Sequence, residues 1–301
     1  MNGKRCSIRL LLAHLLIAST LASPAVFAAT PLRVAVVGGI QMCGVWGKLA
    51  PKIEKATGVT IELVGAAPKN QIIPEFRQGN AALLLIHGGS ETFALQAEGV
   101  GGQQRVWAFN EHVIVGPEAD PAKVATAADA AEAFERIAAS RSPYVSFRDP
   151  GSHEIVQNIW KRIHLQASTS WVLLDETANP HEILQFAARR QAYVVVGAIP
   201  VAFNKLHGDG LKVLLKGDPA MRRAFVVMEP GPRHPADAEA RRQARKVADY
   251  LTSAAGQADL VAADREAGGP WLFPIGAQGA SSPGAPKRAG GGQGRRHRDD
   301  G

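Results

Sequence analysis

Three short stretches set glycine and polar side chains between an apolar β-branched run and a helix-forming run. They are Val37-Gly38-Gly39, His87-Gly88-Gly89-Ser90 and Phe147-Arg148-Asp149-Pro150-Gly151-Ser152-His153. Glycine lets a backbone approach a ligand closely, and the first amides of a helix are unpaired at the positive end of its dipole, so turns of this design suit an anion. Glycine and serine are also ordinary turn and N-cap residues, which gives each turn alone a structural reading; three of one kind narrow the margin. The candidate ligand contacts are Gly38, Gly39, Ser90, Arg148 and Ser152. Arg148 stands out among them because a guanidinium fork matches the oxygens of an oxyanion. The alternative for it is a salt bridge to Asp149 or Glu154.

His87, His112 and His153, with Cys43, are residue types that ligate zinc or copper, but their spacing matches no local metal motif, so a metal site is the weaker reading. There is no G-x-S-x-G, no G-x-x-x-x-G-K-[ST] and no H-E-x-x-H, and Cys43 has no base that the sequence assigns to it. Neither an enzyme nor a cofactor is expected. The pairs Arg189-Arg190 and Arg222-Arg223 read most simply as solvated faces, with a face toward a partner as the equal alternative.

The elements that must position these residues alternate in period. Strands are predicted at 32–37, 60–64, 82–87, 144–147, 192–196 and 211–215, and helices at 45–56, 91–98, 125–139, 153–163, 181–190, 236–253 and 257–263. That alternation predicts an α/β fold with largely parallel sheets, and in such a sheet the turns above fall at the carboxyl edge, where ligands bind. About 245 residues are natural for two cores. Long extended runs at 106–115 and 224–228 read as crossings between lobes, giving one lobe from 30–115 and 225–276 and another from 116–224.

The ends of the chain bound its setting. Lys4, Arg5 and Arg9 precede an apolar run from 10 to 21 and the small-residue stretch Val26-Phe27-Ala28-Ala29, the pattern of a cleaved secretory signal peptide over 1–29. Removing it leaves Cys43 as the one cysteine, so no internal disulfide is expected. Residues 277–301 are rich in Gly, Pro, Ser and Arg without apolar periodicity and read as a disordered basic tail. The net charge of +7 resides largely in these ends. The leader and the tail each carry an excess of three positive charges, which leaves about +1 between them. Bulk charge thus gives no support to nucleic-acid binding, and anion affinity has to come from local geometry.

The order of several segments resembles that of the tungstate-binding receptors of ABC importers. These segments are residues 79–87, Glu98-Gly99, 110–117 with Asp120-Pro121, 146–153, Lys216-Gly217-Asp218-Pro219, Tyr250-Leu251-Thr252-Ser253 with Gly256-Gln257, and Leu272-Phe273-Pro274. The resemblance implies a type II periplasmic-binding-protein fold with a two-strand hinge. It also implies closure on a small oxyanion of the tungstate or molybdate type without chemistry, a membrane permease as partner, and a monomer in the periplasm. The sequence departs from that family where Val36-Val37-Gly38-Gly39 offers no hydroxyl, where 146–153 is one residue shorter than the family's segment, and where Gly197-Ala198-Ile199 replaces an Asp-Arg-Gly. Each missing donor leaves ligand charge unpaired at about 1 to 3 kcal/mol. A small organic acid, a metal ion, or a role as a periplasmic sensor or interaction protein therefore stay open as alternatives.

Overall fold

A computed structural model describes residues 30–276; the signal peptide expected at 1–29 and the disordered tail expected at 277–301 lie outside it. The strands are β1 (Leu32–Val37), β2 (Ile61–Ala67), β3 (Leu83–His87), β4 (Gly101–Pro117), β5 (Tyr144–Ser146), β6 (Val172–Leu174), β7 (Tyr193–Gly197), β8 (Leu211–Leu215), β9 (Arg222–Pro230) and β10 (Leu272–Phe273). The helices are α1 (Gly38–Met42), α2 (Val45–Thr57), α3 (Lys69–Arg77), α4 (Ser90–Ala97), α5 (Ala130–Ser140), α6 (Pro150–Arg162), α7 (Ile183–Arg189), α8 (Ala198–Ala202), α9 (Ala238–Thr252) and α10 (Ala254–Glu266).

Two sheets share one strand. The first runs β2-β1-β3-β9-β4 and the second β4-β7-β5-β6, with β8 and β10 also paired to β4. The triads β2-β1-β3 and β7-β5-β6 are parallel, as alternation of strand and helix demands. Every pairing of β4 or β9 is antiparallel, because one strand carries the chain out of the first sheet and the other begins after the chain has returned. The extended runs set apart in the sequence at 106–115 and 224–228 lie within these two strands.

Period-2 patterning decides what each sheet buries. In the second sheet Tyr144, Tyr193, Val195 and Ile114 face one apolar cluster with Phe134, Trp160 and Trp171. Their neighbours Val145, Val194, Val196, Val113 and Val115 face another with Ile183, Leu184 and Phe186. A sheet covered on both faces reads as continuous apolar runs such as Tyr193–Gly197. Burying one Val or Leu side chain contributes about 1.5 to 3 kcal/mol, so these faces fix the strand register firmly. The first sheet has its own cluster, from Leu32 and Leu84 to Val247 and Leu260, which also takes in Ile199 of α8.

The transfer between sheets is abrupt. Glu111 of β4 still pairs with Arg222 of β9, whereas His112 pairs with Gly197 of β7. Beside this switch the buried Glu111 carboxylate accepts the amide of Gly217, which lies on the segment leading back into β9. Gly217 holds φ +90°, a left-handed conformation that glycine adopts without strain. Replacing Glu111 by Ala removes the acceptor and leaves the Gly217 amide buried and unpaired, at an expected cost of about 1 to 3 kcal/mol in urea unfolding. An unchanged midpoint would show that this bond does not fasten the crossings.

Candidate functional site

The turns after β3 and β5 start the two helices that define the site. Gly89, at φ +150°, precedes α4; its amide donates to Thr92 Oγ1 (3.1 Å) and its carbonyl accepts from the same hydroxyl (2.9 Å). Ser90 is exposed, with Oγ 3.3 Å from Glu91 Oε2. Asp149 caps α6 by accepting the Ser152 amide at 2.9 Å, and Pro150 supplies a first turn with its φ already set. Ser152 is only 2% exposed, and its Oγ has no partner.

Arg223, at the start of β9 opposite Asn110, extends between these two turns. Its guanidinium lies so close over Gly151 that a Cβ there would collide with it, and a Cβ at Gly89 would lie 3.8 Å from Nη2. Among the described residues its side chain forms no hydrogen bond or salt bridge, and its Nε is buried without a partner. Nearby, Lys69 Nζ at the start of α3 pairs with Glu91 Oε2 at 3.0 Å, and burial together with the field of Arg223 lowers the lysine's pKa.

Two histidines complete the cluster. His87 stacks on Phe225 with ring centroids 4.2 Å apart and faces Asn110, yet neither its Nε2 nor Asn110 Oδ1 completes a hydrogen bond. His112, 4% exposed, has an unpartnered Nδ1. Burial is the main cause that keeps both rings neutral. It holds His87 well below the usual range, with Arg223, Lys69 and His112 adding to it, and it brings His112 to about 4 against the opposing pull of Asp149, with Arg223 lowering it further. A cleft of about 430 Å³ opens beside this group, lined by Gly88, Gly89, Glu154, Ile155, Asn158 and Arg223 among others.

The residues singled out from sequence are brought together only in part. Ser90 and Ser152 stand at the two helix starts that Arg223 bridges. Gly38 and Gly39 lie half-buried at α1, where a Cβ at Gly38 would sit 3.6 Å from the Ala67 backbone and one at Gly39 4.0 Å from Ile199 Cδ1. Arg148 is engaged elsewhere: Nε lies 3.4 Å from Asp175 Oδ2 and Nη2 donates to the Thr177 carbonyl, so its partner is the buried Asp175 rather than Asp149 or Glu154. His153 is exposed on α6, apart from the buried His87 and His112. Cys43 is buried, its thiol pushed up to about 11 mainly by that burial, and donates to the Ile40 carbonyl at 3.4 Å. Among the described residues no group of three or more His, Cys, Asp or Glu side chains is arranged to hold a metal. Arg223, read from sequence as part of a solvated face, and Lys69, which drew no notice, are the residues that the fold adds.

The chain belongs to the family of bacterial extracellular solute-binding proteins, whose model matches residues 32–263. A putative ABC transporter anion-binding protein of Haloferax volcanii is 32% identical over 121 residues, 40% of this chain and 32% of that protein. The tungstate-binding protein TupA of Peptoclostridium acidaminophilum is 23% identical over 193 residues, 63% of this chain and 66% of its own length. Among solved structures, that of the tungstate ABC transporter from Geobacter sulfurreducens superposes with a TM-score of 0.60 at 22% identity, covering 78% of this chain and 99% of that one. That likeness establishes the fold expected from sequence. No helix among the described residues is long and apolar enough to cross a membrane.

The buried histidines make stability depend on pH with a definite sign. Unfolded His112 titrates near 6.5 and folded His112 near 4, so the unfolded state binds more protons in between and stability falls as pH drops through that window. The contribution of this one residue is about 3 kcal/mol. Replacing His112 by Asn is expected to flatten the fall between pH 6.5 and 4 in chemical unfolding; equal slopes for the two proteins would contradict the burial of a neutral ring.

Proposed function

We propose that the protein is a periplasmic receptor of an ABC importer that captures a small oxyanion of the tungstate or molybdate type between the starts of α4 and α6. The observation that carries this reading is a group of buried side-chain atoms without partners near those turns: Ser152 Oγ in the first turn of α6, His112 Nδ1 on β4 and Arg223 Nε on β9, beside His87 and Asn110, which face each other. Folded proteins leave few such atoms, because each costs about 1 to 3 kcal/mol, and a group of them beside two helix N-termini is completed by an oxygen-rich anion. The printed functions of the Haloferax and Peptoclostridium proteins, anion and tungstate binding, support the same ligand class.

The proposed donors are Ser90 and Ser152 with their helix starts, with Gly38 and Gly39 closing the first turn, and Arg148 joining if it releases Asp175. Capture requires no bond-making, so no catalytic group is assigned. The leader read at 1–29 directs the chain to the periplasm, where a monomer closes by bending at the Glu111–His112 switch and presents a joined face to the membrane permease. The 430 Å³ cleft is of the size that small organic ligands occupy, and Ile155 and Val226 give it apolar walls. A small organic acid is therefore the second reading.

A thermal-shift titration of residues 30–301 with tungstate, molybdate, sulfate, phosphate and a panel of short carboxylates separates these readings. A ligand at 100 times its dissociation constant stabilises by about 2.7 kcal/mol. A shift with tungstate or molybdate is the expected result; shifts confined to carboxylates would move the assignment to organic acids, and no shift with any would reject the receptor reading. Ser152→Ala is expected to keep the stability of the unliganded protein, since it deletes an unpaired hydroxyl, while weakening the anion by about tenfold in calorimetric titration.

A further inference from the structure

We propose that Arg223 is the cation that receives the anion, in place of the hydroxyls that the first turn lacks, and that residue 151 is glycine because the guanidinium has to cross it. The proposal rests on the receptor reading above. It starts from the pleat of β9, which sends successive side chains to opposite faces. Arg222 stacks over the Phe273 ring, 3.9 Å from its centroid, while Arg223 passes to the opposite side, over Gly151 and toward Gly89. The double arginine is thus two residues with separate environments.

The position of Arg223 is electrostatically incomplete. Its guanidinium stands at the N-terminal ends of α4 and α6, where the helix dipoles repel a cation. The neighbouring carboxylates do not compensate it. Glu91 is paired with Lys69, and Asp149 accepts the Ser152 amide and forms no salt bridge with Arg223. A small anion seated there would meet the guanidinium fork, both helix starts and the free Ser152 hydroxyl, turning three mutually repelling features into one attractive set. His112, 4% exposed and carried by β4 rather than by a helix end, is an unpartnered side chain of the same group, and so is Ser152, 2% exposed in the first turn of α6.

Calorimetric titration of residues 30–301 with sodium tungstate and with sodium sulfate tests the assignment, using the wild type, Arg223→Gln, Arg223→Lys and Gly151→Ala. Arg223→Gln is expected to weaken tungstate by about 100-fold, and Arg223→Lys by about tenfold because the charge remains and the fork is lost. Gly151→Ala keeps every charge, and its Cβ displaces the guanidinium. It is expected to weaken tungstate by about tenfold while leaving the thermal midpoint of the unliganded protein within a few degrees of wild type. Tungstate affinity of Arg223→Gln within about threefold of a binding wild type overturns the role of Arg223 and leaves the receptor reading standing. Failure of the wild type to bind either anion overturns the role of Arg223 together with the oxyanion assignment, and leaves the carboxylate titration to decide the receptor reading. In the unliganded proteins, NMR titration of His112 reads the placement separately: Arg223→Gln is expected to raise its pKa, and an unmoved titration removes Arg223 from the site.

Discussion

A strand that serves two sheets has to change partners somewhere, and β4 does so between Glu111 and His112. On one side of that point the strand is bonded to β9 and on the other to β7 and β8, so the polar residues Asn110, Glu111 and His112 are buried between two apolar cores. Glu111 finds a partner in the Gly217 amide and thereby fastens the outgoing and returning segments together. Asn110 and His112 do not; Asn110 lies opposite Arg223, and His112 is near enough to Asp149 and Arg223 to feel their charges. The position of the candidate site follows from this one change of pairing.

The energetics favour a ligand over a purely structural cluster. Buried polar atoms without partners cost stability, and a cation at two helix N-termini costs more. A chain selected only for stability would replace such groups by apolar ones, whereas a receptor keeps them because the ligand supplies the missing partners. Desolvation keeps His87 and His112 uncharged, so Arg223 and the helix ends carry the site's positive potential near neutral pH. Bound anion would draw protons toward those rings, which couples capture to pH in the direction of tighter binding under acid conditions.

The architecture was legible where local pattern decides it. β1 and β8 match their sequence reading residue for residue, and α2, α6 and α9 differ from it by a few terminal residues, because apolar periodicity and caps such as Asp149 and Asp237 are local signals. α3 was not read, because Pro68 and Pro74 act as breakers in isolation, yet Pro74 is accommodated within Lys69–Arg77. With α3 unread, Lys69 had no place near Ser90. The partner of Arg148 lies 27 residues away in Asp175, a distance over which adjacency in sequence says nothing. Arg223 was mistaken for a surface residue because a double arginine reads as solvated until the strand's pleat and the glycine at 151 are known. The starts of α4 and α6, by contrast, were legible from their glycines and serines, which are ordinary residues of turns and first helical turns.

The central claim is that one anion sits between the starts of α4 and α6. Anomalous diffraction at the tungsten edge from crystals grown with tungstate tests it most directly, since the metal is located without reference to any assumed contact. One strong peak is expected within hydrogen-bonded reach, through the anion's oxygens, of Ser152 Oγ and the Arg223 guanidinium. A strong peak elsewhere on the protein, with the α4 and α6 starts vacant, would contradict it.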